Sequence, residues 1–235
     1  MPRVPDLDHW PGREHRDPPR GIPGWSIRRP LADWLRAEGR ASTGKRVLDV
    51  GCGVKPYYPF FAGAADYIGV DVQENPSADL TGSVEALPVE DGSFDLVLCT
   101  QVLEHVDDPA LAVRELHRVT AAGGRVLAST HGVMLYHPNP QDLWRWTHTG
   151  LEKLFRDNGF TDVTVLPGAG SGEALAMLIG NFLHLLAKRA GAAALARPLI
   201  SGLNTAAAAL DRRVQLLRDP VPGALFANLH VTAVK

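Results

Sequence analysis

The chain has 235 residues, with 24 Lys and Arg against 26 Asp and Glu, and a formal net charge of −2. That balance argues against a nucleic-acid binder, which would show a basic face, and the length suits one α/β domain with decorations. The only cysteines, Cys52 and Cys99, fall at the ends of predicted strands, which speaks against a structural disulfide and fits a reducing cytoplasm.

Residues 1–24 hold six prolines among arginines, acids and Trp10, and read as an irregular arm. Its first eight residues lack the apolar stretch of a signal peptide, so a cytoplasmic protein is expected. Ser26–Glu38 reads as a helix, with Ile27, Leu31, Trp34 and Leu35 at helical spacing and Gly39 as its stop. Arg46–Val50 follows as a buried strand whose Val47, Leu48 and Val50 form an apolar run. It ends at a carboxylate, Asp49, and turns through Gly51 and Gly53, where no Cβ blocks the approach of a ligand. The third glycine of a dinucleotide fingerprint is missing, because Pro56 stands in its place. A carboxylate two positions before the first glycine also repels a pyrophosphate and suits a cationic ligand end. These two features weigh against a nicotinamide-dependent oxidoreductase.

A second strand, Tyr67–Asp71, ends in an acid 20 positions after Gly51, where one carboxylate can accept from both hydroxyls of a ribose. Phe94–Thr100 is a further strand. Asp108-Pro109 then opens a helix as N-cap and first helical residue, with Leu111, Val113, Leu116 and Val119 as its apolar face and Gly123-Gly124 as its end. Arg125–Thr130 is the next strand.

The loop His131–His148 leaves the carboxyl edge of the sheet, where open α/β folds bind ligands. It carries His131, Tyr136, His137, Asp142, Trp144, Arg145, Trp146 and His148 in eighteen positions. Trp144, Arg145 and Trp146 read equally as acceptor contacts or as a clamp on the loop. Thr149-Gly-Leu-Glu152 reads as a capping box that opens a helix ending at Asn158-Gly159. Phe160–Leu166 and Asn228–Val234 are the last two strands. Between them, residues 168–224 form an apolar insert of two helices, Ala174–Ala187, broken gently at Gly180, and Ala192–Leu210, interrupted by Pro198. Neither run reaches the roughly 20 apolar residues of a membrane span. The insert reads as a hairpin packed on the sheet edge and on its twin in a homodimer, or else as a lid for a hydrophobic acceptor or a surface that touches membrane.

Taken together, these motifs resemble the class I S-adenosylmethionine-dependent methyltransferases. Asp49-Val-Gly51-Cys-Gly53 matches D/E-x-G-x-G, and Phe94 to His105 matches F-D-x-V-x-x-x-x-V-L-x-H. The resemblance covers roughly residues 44 to 166. It departs at Gly82-Ser-Val-Glu-Ala-Leu-Pro88, where Ser83 stands at the position of the family's aspartate. The implied fold is a doubly wound, Rossmann-like α/β domain over residues 25–235. It has a seven-stranded, mostly parallel sheet, an antiparallel last strand, helices on both faces and a helical insert before the last strand.

The resemblance implies S-adenosyl-L-methionine as cofactor, with Asp49, Gly51 and Gly53 at the methionine end and Asp71 at the ribose. It puts Ser83 and Val84 at the adenine edge and Cys99, Thr100 and Gln101 beside the methyl group, with Cys52, Val72 and Glu85 as flanking contacts. The acceptor is then a hydroxyl, amine or carboxylate of a small molecule. Histidine is the default base because its ordinary pKa lies near working pH. His131 is the first choice, His137 and His148 follow, and Tyr136 is an orienting hydroxyl. No Cys/His spacing resembles a zinc site. A protein of the same fold that binds the cofactor without methyl transfer, as sensor, partner subunit or cyclase-type enzyme, is the alternative.

Overall fold

The computed structural model describes residue 7, residues 9–138 and residues 140–235, so the reading of the first eight residues lies, save for Leu7, outside the described residues. The described part of the arm is less irregular than expected. It holds one helical turn, α1 (Arg13–Arg16), whose Arg16 is buried and donates to the carbonyls of Trp10, Pro11 and Pro56, each at 2.7 Å. Trp10 Nε1 donates to the Lys55 carbonyl at 2.8 Å, which seats the arm on the loop after the first strand.

Helix α2 spans Trp25–Arg40 and buries Ile27, Leu31 and Leu35. Gly39 does not stop it. Gly39 is buried inside the last turn because a Cβ there would lie 2.3 Å from the Phe60 carbonyl oxygen, so the residue serves a close approach and the helix ends one residue later.

Seven strands form one sheet in the order β3-β2-β1-β4-β5-β7-β6. They are β1 (Arg46–Val50), β2 (Asp66–Asp71), β3 (Leu80–Thr81), β4 (Phe94–Thr100), β5 (Thr120–His131), β6 (Asp162–Pro167) and β7 (Asn228–Val234). All pairings are parallel except those of β7 with β5 and with β6. Alternation along the strands builds two cores. Leu48, Val50, Val97, Cys99, Val126 and Ala128 face α3 (Pro109–Val119) and α4 (His148–Asp157). Val47, Leu96, Leu98 and Leu127 face Leu31 and Leu35 of α2.

Asp108 caps α3 as expected, accepting from the amides of Ala110 and Leu111. The helix buries Ala112, Val113, Leu116 and Val119, whereas Leu111 is exposed. Gly123-Gly124 ends nothing. The chain enters β5 already at Thr120, and the pair lies within that strand, where the register with β4 shifts between Phe94 and Leu96 and Gly123 takes φ +74°.

The start of α4 also differs. Thr147, not Thr149, is the cap and accepts from the Gly150 amide at 3.0 Å. His148 is drawn into the helix by its ring contact with the Val165 carbonyl at 2.8 Å.

In the insert, α5 (Ser171–Arg189) runs unbroken through Gly180, and α6 (Ala193–Arg213) continues through Pro198. Packed against each other, they keep the backbone helical where the isolated sequence suggests breaks. Gly180 faces Ile200 and Pro23.

Candidate functional site

The chain reverses direction along the sheet between β1 and β4, and ligands bind outside the carboxyl ends of strands at such a switch point. A cleft of about 620 Å³ opens there, a volume ordinary for a small-molecule site. Its floor is Val50-Gly51 from β1, one wall is Asp71–Gln73 after β2, a second is Gly82–Glu85, and the far side is Gln101, Val102 and His105 after β4.

The turn after β1 is tight because Gly51 has φ +68° and a Cβ there would strike Val102 Cγ2 at 2.4 Å. Gly53 has φ +50° and open space where a Cβ would stand. Among the described residues, 51–65 form no α-helix, only a 3-10 turn at Tyr58–Phe60. Pro56, Pro59 and the positive φ of Lys55 account for that. A dinucleotide pyrophosphate sits on the N-terminus of a helix at this point, so the cleft lacks the element such a ligand needs. Lys55 is buried and ion-paired with Asp79.

Asp71 is half-buried on the cleft wall. Its Oδ2 accepts from the Gly53 amide at 2.8 Å and its Oδ1 from the Gln73 amide at 3.2 Å. Val72 stands exposed at the rim and Val84 is buried. Ser83 Oγ accepts from the Glu85 amide at 3.1 Å, and Glu85 Oε1 accepts from the Asp108 amide at 2.7 Å, which ties this wall to the start of α3. Gln101 has φ +57° and is held by Ser129 Oγ at 2.9 Å and by Asn228 Nδ2 at 3.2 Å.

Five residues of the expected set do not line the cleft. Asp49 points to the α2 side, 3% exposed, and accepts from Tyr67 Oη at 2.7 Å; burial pushes its carboxyl up to about 7. Cys52 lies beneath the turn with its thiol pushed up to about 12, chiefly by burial. Cys99 is buried in the α3-side core, and Thr100 is half-buried at the end of β4. Gly53 reaches the cleft only through its amide bond to Asp71.

Behind Gln101 and His105 lies a buried polar group that joins His131 to His137. His131 Nε2 is 3.2 Å from His137 Nε2 and 3.2 Å from Glu104 Oε1. Glu104 is fully buried. Its Oε2 accepts from Thr130 Oγ1 at 2.9 Å, and desolvation raises its carboxyl to about 7. Burial, with the nearby His137 and Arg145, lowers His131 to about 3. Asp142 sits beside His137, held well below the usual carboxylate range by the Arg145 guanidinium, which donates to it at 2.7 Å.

Tyr136 is 77% exposed on the loop, and His148 opens α4 on the wall of a different hollow, so the structure does not bring either to the pair His131–His137. The tryptophans hold the loop. Trp144 Nε1 donates to the Val106 carbonyl at 2.8 Å, Trp146 N to the His131 carbonyl at 2.9 Å, and the two rings stack. Sequence reading missed Glu104, which occupies a wildcard of the matched motif, and Asn228, which opens the last strand. An inward-facing Glu beside a histidine-rich loop was the one available signal for the first.

The chain's residues 48–128 match the family described as methyltransferase domain. An uncharacterised methyltransferase of Mycobacteroides abscessus is 38% identical over 112 residues, covering 41% of this chain and 43% of that protein. A ubiquinone biosynthesis O-methyltransferase of Acinetobacter baumannii is 33% identical over 117 residues, covering 42% and 48%. The matched stretch thus spans less than half of either relative. An S-adenosylmethionine-dependent methyltransferase structure from Mesorhizobium loti superposes with a TM-score of 0.53 at 17% identity, covering 88% of this chain and 98% of that one, and shares the fold. Residues 48–128 thus match a methyltransferase domain, and the seven-stranded sheet that carries them has the fold of S-adenosylmethionine-dependent methyltransferase structures.

Proposed function

We propose that the chain transfers a methyl group from S-adenosyl-L-methionine to a hydroxyl, amine or carboxylate of a small-molecule acceptor in the cytoplasm. The observation that carries this reading is the proximity of the switch-point cleft to an acid–imidazole group. His105 lines the cleft, and its ring centroid lies 5.2 Å from that of His137.

The cleft fits the cofactor in volume, in its glycine turn and in having no helix N-terminus for a phosphate. When bound, S-adenosylmethionine supplies a methyl group on a sulfonium that is already an activated leaving group, so the protein's part is mostly positioning. Asp71 would accept from the ribose hydroxyls, while Ser83, Val84 and Glu85 would meet the adenine edge and Val72 would cover it. Gly51 and Gly53 would leave room for the methionine end, and Gln101, oriented by Ser129 and Asn228, would face the methyl. Asp49, Cys52, Cys99 and Thr100 would support the strand ends beneath. Asp49 does so by fixing Tyr67 rather than by touching the ligand.

A hydroxyl acceptor must lose a proton. His131 is a weak base here, because burial disfavours its charged form. Glu104, raised to about 7, is matched to neutral pH and reaches the loop through His131 and His137. The stacked Trp144 and Trp146 keep that loop closed over the group.

No described helix is long and apolar enough to cross a membrane. Leu175, Ile179, Phe182 and Leu186 form an exposed stripe along α5, which we read as the face that meets a second copy of the chain. The test of the proposal is an acceptor screen with methyl-labelled donor. Label on a phenolic, amine or carboxylate acceptor is the expected result, and cofactor binding without label on any acceptor would favour a non-transferring protein.

A further inference from the structure

Glu104 follows β4 while His131 and His137 belong to the end of β5 and its loop, yet each offers a ligand atom, and these atoms lie within 4.8 Å of one another. The group has a feature that hydrogen bonding leaves unexplained. His131 Nε2 is 3.2 Å from both His137 Nε2 and Glu104 Oε1, and one imidazole proton cannot serve both. Glu104 Oε1 is in fact buried without a hydrogen-bond partner. A buried carboxylate oxygen in that state is costly unless something else satisfies it.

Ligands held tetrahedrally at about 2.0–2.1 Å from a zinc ion are about 3.3 Å from one another. Both separations at His131 match that spacing.

The surroundings are also those of metal ligands, whose outer ring nitrogen is oriented by a carboxylate or an amide. Asp142 Oδ1 is 3.3 Å from His137 Nδ1, and Asn228 is 3.4 Å from His131 Nδ1. Asn228 Oδ1 is itself buried without a partner. Turning the Asn228 and Gln101 amides together keeps their mutual bond, gives His131 Nδ1–H an acceptor, and frees the Nε2 lone pair. Thr130 Oγ1 fixes the other oxygen of Glu104. The His137 side chain, 34% exposed, leaves an entry from the loop side and room for a further ligand.

We propose that Glu104, His131 and His137 form a binding site for one divalent transition-metal ion, with zinc the best match to a His₂Glu donor set that keeps an open position. The site stands whether or not the chain transfers methyl groups; with the ion bound, Glu104 serves as a ligand and not as the base. Bound beside the cleft, the ion would satisfy Glu104 Oε1 and could take an acceptor oxygen as its fourth ligand.

The test uses the full chain after treatment with a chelator, titrated calorimetrically with Zn²⁺ and, separately, followed by visible absorption on addition of Co²⁺. One ion per chain is expected, with a cobalt absorption band and with affinity at least about tenfold weaker in His137→Ala. His137 is partly exposed, so that variant should fold, which an unchanged circular-dichroism spectrum and thermal unfolding midpoint in the absence of metal check. His184→Ala, on the insert, should leave metal binding unchanged. Absence of stoichiometric binding, or equal binding by His137→Ala and the unaltered chain, would overturn the proposal. Neither readout involves methyl transfer, so failure here is distinguishable from failure of the catalytic reading.

Discussion

Asp71 spends both carboxylate oxygens on the backbone of the loops beside it, Gly53 at 2.8 Å and Gln73 at 3.2 Å. Its replacement therefore loosens the turn and removes the proposed ribose acceptor together. Asp71→Ala is expected to weaken S-adenosylhomocysteine binding by more than about tenfold in a calorimetric titration, as the loss of charge-assisted hydrogen bonds should; unchanged affinity would remove Asp71 from the site. His230 is a second residue with a measurable signature. It is buried, stacked on Trp34 with ring centroids 4.6 Å apart, and burial lowers its pKa to about 4. Between about pH 4 and 6.5 the unfolded chain takes up a proton that the folded one refuses, so His230 costs stability as the pH falls through that window. The full effect is on the order of 3 kcal/mol. His230→Phe should gain on the unaltered chain as the pH drops from 7 to 4.5 in urea unfolding, and a constant difference would contradict the assignment. Asp49 and Glu104, raised to about 7, act the other way: their contribution is fullest in acid and is lost as the pH rises toward 7, equally in both proteins.

At the scale of elements, local signals were legible and distant ones were not. Asp108-Pro109 announces α3 because cap and first turn are adjacent in sequence. Asp108→Ala should cost about 1 kcal/mol in equilibrium unfolding, with no loss arguing against the cap. The N-terminus of α5 is different. Its own N-cap residue, Gly170, offers no side chain, and Asp211, near the end of α6, accepts from the Gly172 and Glu173 amides at 3.0 and 2.8 Å. No sequence pattern reports a cap placed some 40 residues away. Asp211→Ala should cost at least as much as Asp108→Ala, since it strands two half-buried amides, and a smaller cost would show the hairpin is held by its apolar contacts alone. Where sequence reading erred at Gly39, Thr149, Gly180 and Pro198, tertiary contacts overrode a local signal: the Phe60 carbonyl, the Val165 carbonyl and the pairing of α5 with α6.

For the whole molecule, the switch-point cleft follows from β1 and β2, which each pair a strand with a carboxylate and a turn, and β1, β2, β4 and β5 were legible as apolar runs, whereas the two-residue β3 was not. The buried group behind the cleft was not, because Glu104 is silent in the motif and only folding brings it to His131 and His137. The exposed α5 stripe belongs to this scale as well. Sedimentation should show a dimer that Phe182→Asp dissociates, and a monomeric unaltered chain would contradict that reading. The central claim is that the cleft between β1, β2 and β4 holds S-adenosylmethionine. Calorimetric titration with S-adenosylhomocysteine, with NAD as control, tests it most directly. The structure predicts saturable binding of the former at one site per chain and none of NAD, which would lack a helix N-terminus for its pyrophosphate; binding of NAD alone, or of neither, would contradict the account.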